Sequence, residues 1–147
     1  MKFKDKIGDE LKGAMKARDT GAVAGLRMIL AAIQNREIEK RGDLDDDECV
    51  RVLSTLAKQR NESIDMYKKG GRDDLVQREA AELALIKSFL PAELSSDELA
   101  RIVDDAIAES GASGPGDMGK VMKIVTPKTR GRADGKAVSE LVKTKLS

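Results

Sequence analysis

Histidine and tryptophan are absent from this chain, and cysteine, tyrosine, phenylalanine and proline total seven residues. Without histidine there is neither the usual general base nor the commonest metal ligand. The lone Cys49 permits no internal disulfide and points to a reducing setting. It stands at core spacing beside an acidic run, an environment that raises a thiol's pKa, so no reactive thiolate is expected. With only Phe3, Tyr67 and Phe89 as aromatics, base stacking is too sparse for sequence-specific reading of single strands. No apolar run reaches the roughly 18–20 residues of a membrane span. The charged N-terminus Met1-Lys-Phe-Lys-Asp-Lys lacks the apolar centre of a signal peptide. A cytoplasmic protein without membrane contact is therefore expected. Serines lack an activating lysine or acid at suitable spacing, and pairs such as Asp104-Asp105 stand on solvated stretches. The expectation is no catalytic constellation, no metal and no cofactor.

What remains is rich in Ala, Leu, Glu, Lys and Arg, a composition that favours an all-α protein. Phe3, Ile7, Leu11 and Met15 recur every four residues and predict a first amphipathic helix ending near Ala17-Arg18. Asp19-Thr20-Gly21 supplies a cap for a second, with Val23, Leu26, Leu30 and Ile33 on one face, broken at Arg41-Gly42-Asp43. A third helix starts among Asp43, Asp45, Asp46 and Asp47 and turns Cys49, Leu53, Leu56, Ile64 and Tyr67 inward. Lys58-Gln-Arg60 is placed partly outward as a solvated face, and Gly70-Gly71 closes the helix. Leu75, Val76, Ala80, Leu83, Ile86 and Leu90 mark a fourth helix, stopped by Pro91. Ser95-Ser-Asp-Glu98 is a capping-box pattern opening a fifth. A loop through Gly116 follows, then a sixth helix capped by Asp117 and closed by Pro127, and a seventh capped by Asp134. The organisation expected is a four-helix lobe over 1–90 and a smaller three-helix lobe over 91–147.

The net charge of +1 hides an asymmetry. Residues 111–147 hold eight basic residues against three acidic, whereas 1–110 hold 19 basic against 23 acidic. Gly114-Pro-Gly-Asp-Met-Gly-Lys120 matches seven positions of a nucleotide-binding P-loop, but Val121 stands where Ser or Thr would hold Mg²⁺ and no strand precedes it. Nucleotide hydrolysis is set aside. Arg130-Gly-Arg-Ala-Asp-Gly-Lys136 packs three cations ahead of a helix N-terminus, which suits phosphate, and suits equally a solvated turn capped by Asp134.

Several segments together resemble one family. They are Leu26-Arg-Met-Ile-Leu-Ala-Ala-Ile-Gln-Asn-Arg-Glu-Ile38, Lys58-Gln-Arg-Asn-Glu-Ser-Ile64, Tyr67-Lys-Lys-Gly-Gly-Arg-Asp-Asp-Leu75, Glu79-Ala-Ala-Glu-Leu83, Phe89-Leu-Pro-Ala-Glu-Leu-Ser95, Asp117-Met-Gly-Lys-Val-Met122 and Gly131-Arg-Ala-Asp-Gly-Lys136. Across nearly the whole chain these resemble the YqeY-like proteins (the GatB/YqeY domain family). That family is similar to the tail region of the B subunit of glutamine-dependent tRNA amidotransferase, where the tail contacts tRNA and amide transfer occurs in other domains. The resemblance implies a two-lobed helical fold and a link to tRNA, to the amidotransferase or to translation-related proteins, with carbon–nitrogen ligase activity attached to the family by association. On this reading Lys120, Lys123, Lys128, Arg130, Arg132 and Lys136 contact backbone phosphates, with Gly119 and Gly131 permitting close approach. Two alternatives stay open. One is a stand-alone enzyme forming or hydrolysing a C–N bond. The other is a protein-interaction module using the acidic stretches 43–48 and 95–109.

Overall fold

Side chains that accept backbone N–H groups set where several helices begin. In this computed structural model, which describes residues 3–147, the order is α1 (Phe3–Lys16), α2 (Thr20–Lys40), α3 (Asp46–Lys69), α4 (Asp73–Ser88), α5 (Ser96–Ser110), a 3-10 turn (Pro115–Asp117), α6 (Met118–Thr129) and α7 (Gly135–Leu146). Met1 and Lys2, where the charged N-terminus begins, lie outside the described residues. The fold is all-α, with no strand among the described residues. Asp19 accepts from Ala22 N at 3.1 Å to open α2. Asp45 with Glu48, and Ser95 with Glu98, form reciprocal capping boxes at the starts of α3 and α5. Each such cap satisfies an N–H that would otherwise lack a partner, worth about 1 kcal/mol.

Helix ends follow one device four times. A left-handed residue lets the next N–H reach back five residues while its own reaches back three. Gly71 (φ 69°) and Gly111 (φ 70°) do this after α3 and α5. Arg18 (φ 57°) and Arg41 (φ 62°) do it after α1 and α2. The break after α2 therefore falls on Arg41 itself, with Gly42 N reaching Glu37 O at 3.1 Å.

The chain divides into two compact units, one ending at Leu90 and one spanning Pro91–Ser147. In the first, α1 pairs with α2 and α3 with α4, and α2 also packs against α3 and α4. Ile7, Leu26, Ile29, Ile33, Leu53 and Ile86 are fully buried there. Gly25 lies against α4, where an added β-carbon would meet Leu85 Cδ2 at 2.7 Å. In the second unit α5, α6 and α7 enclose Val103, Ala106, Val121, Val125, Val138 and Val142.

Four sequence expectations are corrected. Met15 is 51% exposed, and Ala14 packs against the core instead. Steps of four advance 400° around a helix, so by the third step the position has drifted off the face that Phe3 began. Ala80 is exposed while Glu79 turns inward to meet Arg60. α6 does not stop at Pro127 but runs to Thr129, whose burial beside Val125 extends the packed face past the proline. In the last turn a proline costs α6 one backbone bond, to the Lys123 carbonyl. Asp117 does not cap α6, because the 3-10 turn runs directly into the helix and leaves Asp117 near-helical (φ −97°, ψ 7°) rather than extended.

Candidate nucleic-acid interface

The α6–α7 turn gathers part of the expected site. Arg130, Gly131 and Arg132 follow α6 directly, and Lys136 stands in the first turn of α7. Arg130 N reaches Thr126 O at 3.0 Å, and Arg132 N and Ala133 N both reach Thr129 O, at 2.8 and 3.1 Å. Gly131 makes this possible with φ 75°, a conformation side chains rarely adopt. Asp134 Oδ1 accepts from Lys136 N at 3.4 Å and sets the start of α7.

Each cation has a distinct environment. Lys123 and Lys136 are exposed and Arg130 is half-buried, and none of the three has an ion-pair partner among the described residues. Lys120 is 69% exposed but stands 3.6 Å from Asp117 Oδ1. Lys128 lies on the side of α6 that turns towards α5, with Glu109 Oε2 at 4.0 Å. Arg132 is half-buried, and its Nε donates to Ala92 O at 3.2 Å. Gly119 faces open space, where an added β-carbon would meet nothing within 4 Å.

The loop before α6 is closed on itself. Asp117 Oδ2 accepts from Ser113 N at 3.0 Å, and this bond, then the Lys120 charge, holds its carboxyl below the usual aspartate range. A fixed carboxylate at this point disfavours a bound triphosphate, in keeping with the failed P-loop match.

The second unit as a whole carries no net charge. Counting from Pro91, its nine basic residues are matched by nine acidic ones, because α5 brings Asp97, Glu98, Asp104, Asp105 and Glu109. Lys145 pairs back to Asp104 at 2.8 Å. The surplus read along residues 111–147 is thus a property of α6 and α7, not of the whole unit.

Arg60 escaped the sequence reading, which placed it partly outward. It faces α4, with Nη1 3.3 Å from Glu79 Oε2, Nε 3.5 Å from Glu82 Oε2 and Nη2 3.2 Å from Met28 Sδ. The signal was present: Leu53, Ala57, Arg60, Ile64 and Tyr67 continue one stripe at spacings of four and three. An open groove of about 460 Å³ lies between α2 and α3, floored by Ala32, Val52 and Leu56. Its rim glutamates are already engaged, Glu39 by Arg36 at 3.0 Å and Glu48 by Lys40 at 2.6 Å. Cys49 is buried, and burial, followed by the charge of Asp46, pushes its thiol up. No three His, Cys, Asp or Glu side chains are placed to hold a metal among the described residues. No helix among them is long and apolar enough to cross a membrane.

Comparison with known proteins bears on nearly the whole chain. A family model described as Yqey-like protein matches residues 4–146. Altered inheritance of mitochondria protein 41, mitochondrial, of Eremothecium gossypii is 42% identical over 106 residues, which is 70% of this chain and 58% of that protein. Its counterpart in Lachancea thermotolerans is 40% identical over 82 residues, covering 55% of this chain and 44% of its own length. That of Kluyveromyces lactis is 35% identical over 101 residues, covering 66% and 55%. The chain spans about half the length of these relatives.

Proposed function

The chain belongs to the YqeY-like family, and from that premise we propose that it is a tRNA-binding accessory module related to the glutamine-dependent tRNA amidotransferase. It grips RNA by backbone phosphates on the α6–α7 side of its C-terminal unit. The observation that supports this reading is the trio Lys123, Arg130 and Lys136, cations without an acidic partner among the described residues. Lys120 adds an exposed charge whose contact with Asp117 is long. With three aromatics in the chain, recognition rests on backbone and shape rather than base stacking. Amide transfer, a carbon–nitrogen ligase activity, is assigned to partner subunits, with this chain supplying RNA contact. Its relatives carry "mitochondrial" in their names, and we place this chain in an aqueous compartment where translation runs, cytoplasmic or mitochondrial.

Binding of purified protein to total tRNA at several salt concentrations tests the reading. Each neutralised phosphate contributes about 0.7–0.9 to the slope of log K against log salt, so three contacts give a slope of about −2 to −3. A flat salt dependence, or unchanged affinity in the Lys123→Ala/Arg130→Ala/Lys136→Ala variant, sinks it. The acidic face of α5 supports a second reading, docking of a basic protein partner. A pull-down that recovers protein and no RNA would favour it.

A further inference from the structure

Arg132 differs from the other cations of the α6–α7 turn in being tied to a second segment. Its carbonyl accepts from Leu94 N at 2.8 Å, and its side-chain Nε donates to Ala92 O at 3.2 Å. Residues 91–95 lead into α5, so one residue joins the lead-in of α5 to the turn between α6 and α7, across 40 positions of sequence. The backbone bond and the side-chain bond run in opposite directions, residue 94 donating and residue 92 accepting. This two-point attachment fixes both position and orientation of the turn. A guanidinium has a planar, fixed donor geometry, and with Nε committed to Ala92 its plane is set by the protein rather than by a ligand.

We infer that Arg132 is a positioning residue: it clamps the basic turn to the lead-in of α5, so that Arg130 and Lys136 are presented to phosphate from an immobilised backbone. The inference rests on the proposed tRNA contact for its functional meaning, but the clamp is measurable without RNA. It gives Arg132 a task other than direct phosphate contact, one that Nε performs by its bond to Ala92. A turn held only by its own bonds to Thr126 and Thr129 would lose more freedom on binding, at a cost in affinity.

Glutamine discriminates the two roles. Its Nε2 lies the same number of bonds from the backbone as arginine Nε, so Arg132→Gln keeps the donor to Ala92 and removes the charge. Arg132→Ala removes both. In the full-length free protein, amide hydrogen exchange at Leu94 is expected to rise roughly tenfold in Arg132→Ala, the effect of losing one charge-assisted support, and to stay near wild type in Arg132→Gln. With total tRNA, Arg132→Ala weakens binding several-fold without changing the salt slope, and Arg132→Gln restores it. Unchanged Leu94 exchange in Arg132→Ala overturns the clamp. A salt slope flattened by about 0.7–0.9 in both variants overturns it too, by making Arg132 a phosphate contact. Should wild-type protein ignore tRNA altogether, the tRNA reading falls, while Leu94 exchange still decides on the clamp.

Discussion

Arg60 on α3 and Glu79 on α4 meet at 3.3 Å, and their side chains are only 19% and 14% exposed. The pair ties together the most extensively packed helices of the first unit. Removing Arg60 leaves the half-buried Glu79 and Glu82 carboxylates without their cation. Arg60→Ala is expected to destabilise that unit by about 2 kcal/mol, the scale of a charge-assisted bond discounted for residual solvent. Urea denaturation reads the loss, and a double-mutant cycle with Glu79→Gln should find positive coupling. Additive effects would show that the two residues act independently.

Gly25 packs closely against Leu85. A β-carbon at position 25 would stand 2.7 Å from Leu85 Cδ2, inside contact distance. Gly25→Val is expected to lower stability by about 2 kcal/mol, as overpacking outweighs the gain in helix propensity. Gly25→Val/Leu85→Ala should recover part of the loss in thermal denaturation. Failure to recover would locate the cost elsewhere.

Arg18 and Arg41 occupy left-handed conformations that carry a steric penalty for any residue with a β-carbon. Arg18→Gly and Arg41→Gly are each expected to stabilise by about 0.5–1 kcal/mol, the relief of strain partly offset by greater freedom in the unfolded chain. Gly71→Ala, at the equivalent place after α3, should destabilise. Chemical denaturation of the three variants tests the set, and equal midpoints would refute the strain argument.

Lys4 Nζ bonds both Glu37 oxygens, at 3.0 and 3.2 Å, while Leu44 N donates to Oε2 at 3.3 Å. The Lys4 bond, opposed by burial and aided by Leu44, holds the Glu37 carboxyl below the usual glutamate range. The same bond raises Lys4 above the usual lysine value. A depressed acid stabilises above its unfolded pKa and loses that contribution as pH falls through the folded one. A raised base stabilises below its unfolded pKa and loses it as pH climbs through the folded one. The bridge therefore acts across the neutral range and fails on both sides. Glu37→Gln should cost stability at neutral pH, with the gap to wild type closing as pH drops below the glutamate range. A gap constant with pH would exclude the titration.

Much of the fold is written locally. Ser95 and Glu98 announce α5 because a capping box needs only residues three apart. Asp19 and Asp134 mark helix starts for the same reason. Less was legible wherever the deciding partner lies far along the chain. Arg60 read as a solvated surface residue because its carboxylates are 19 and 22 positions away. The family resemblance singled out the basic turn, but it could not separate Arg130 and Lys136, which have no ion-pair partner among the described residues, from Arg132, which is bonded to Ala92.

The sequence by itself determined an all-α chain, the starts of most helices, the lack of histidine chemistry and the family, since composition, caps and motifs are properties of neighbouring residues. Only the tertiary structure decided that Met15 and Ala80 face outward, that Arg60 and Glu79 turn inward to each other, that α6 runs through Pro127, and that Lys128 and Lys145 meet carboxylates of α5. Helical drift, burial and charge pairing depend on what packs against a residue, and that is set once the helices meet.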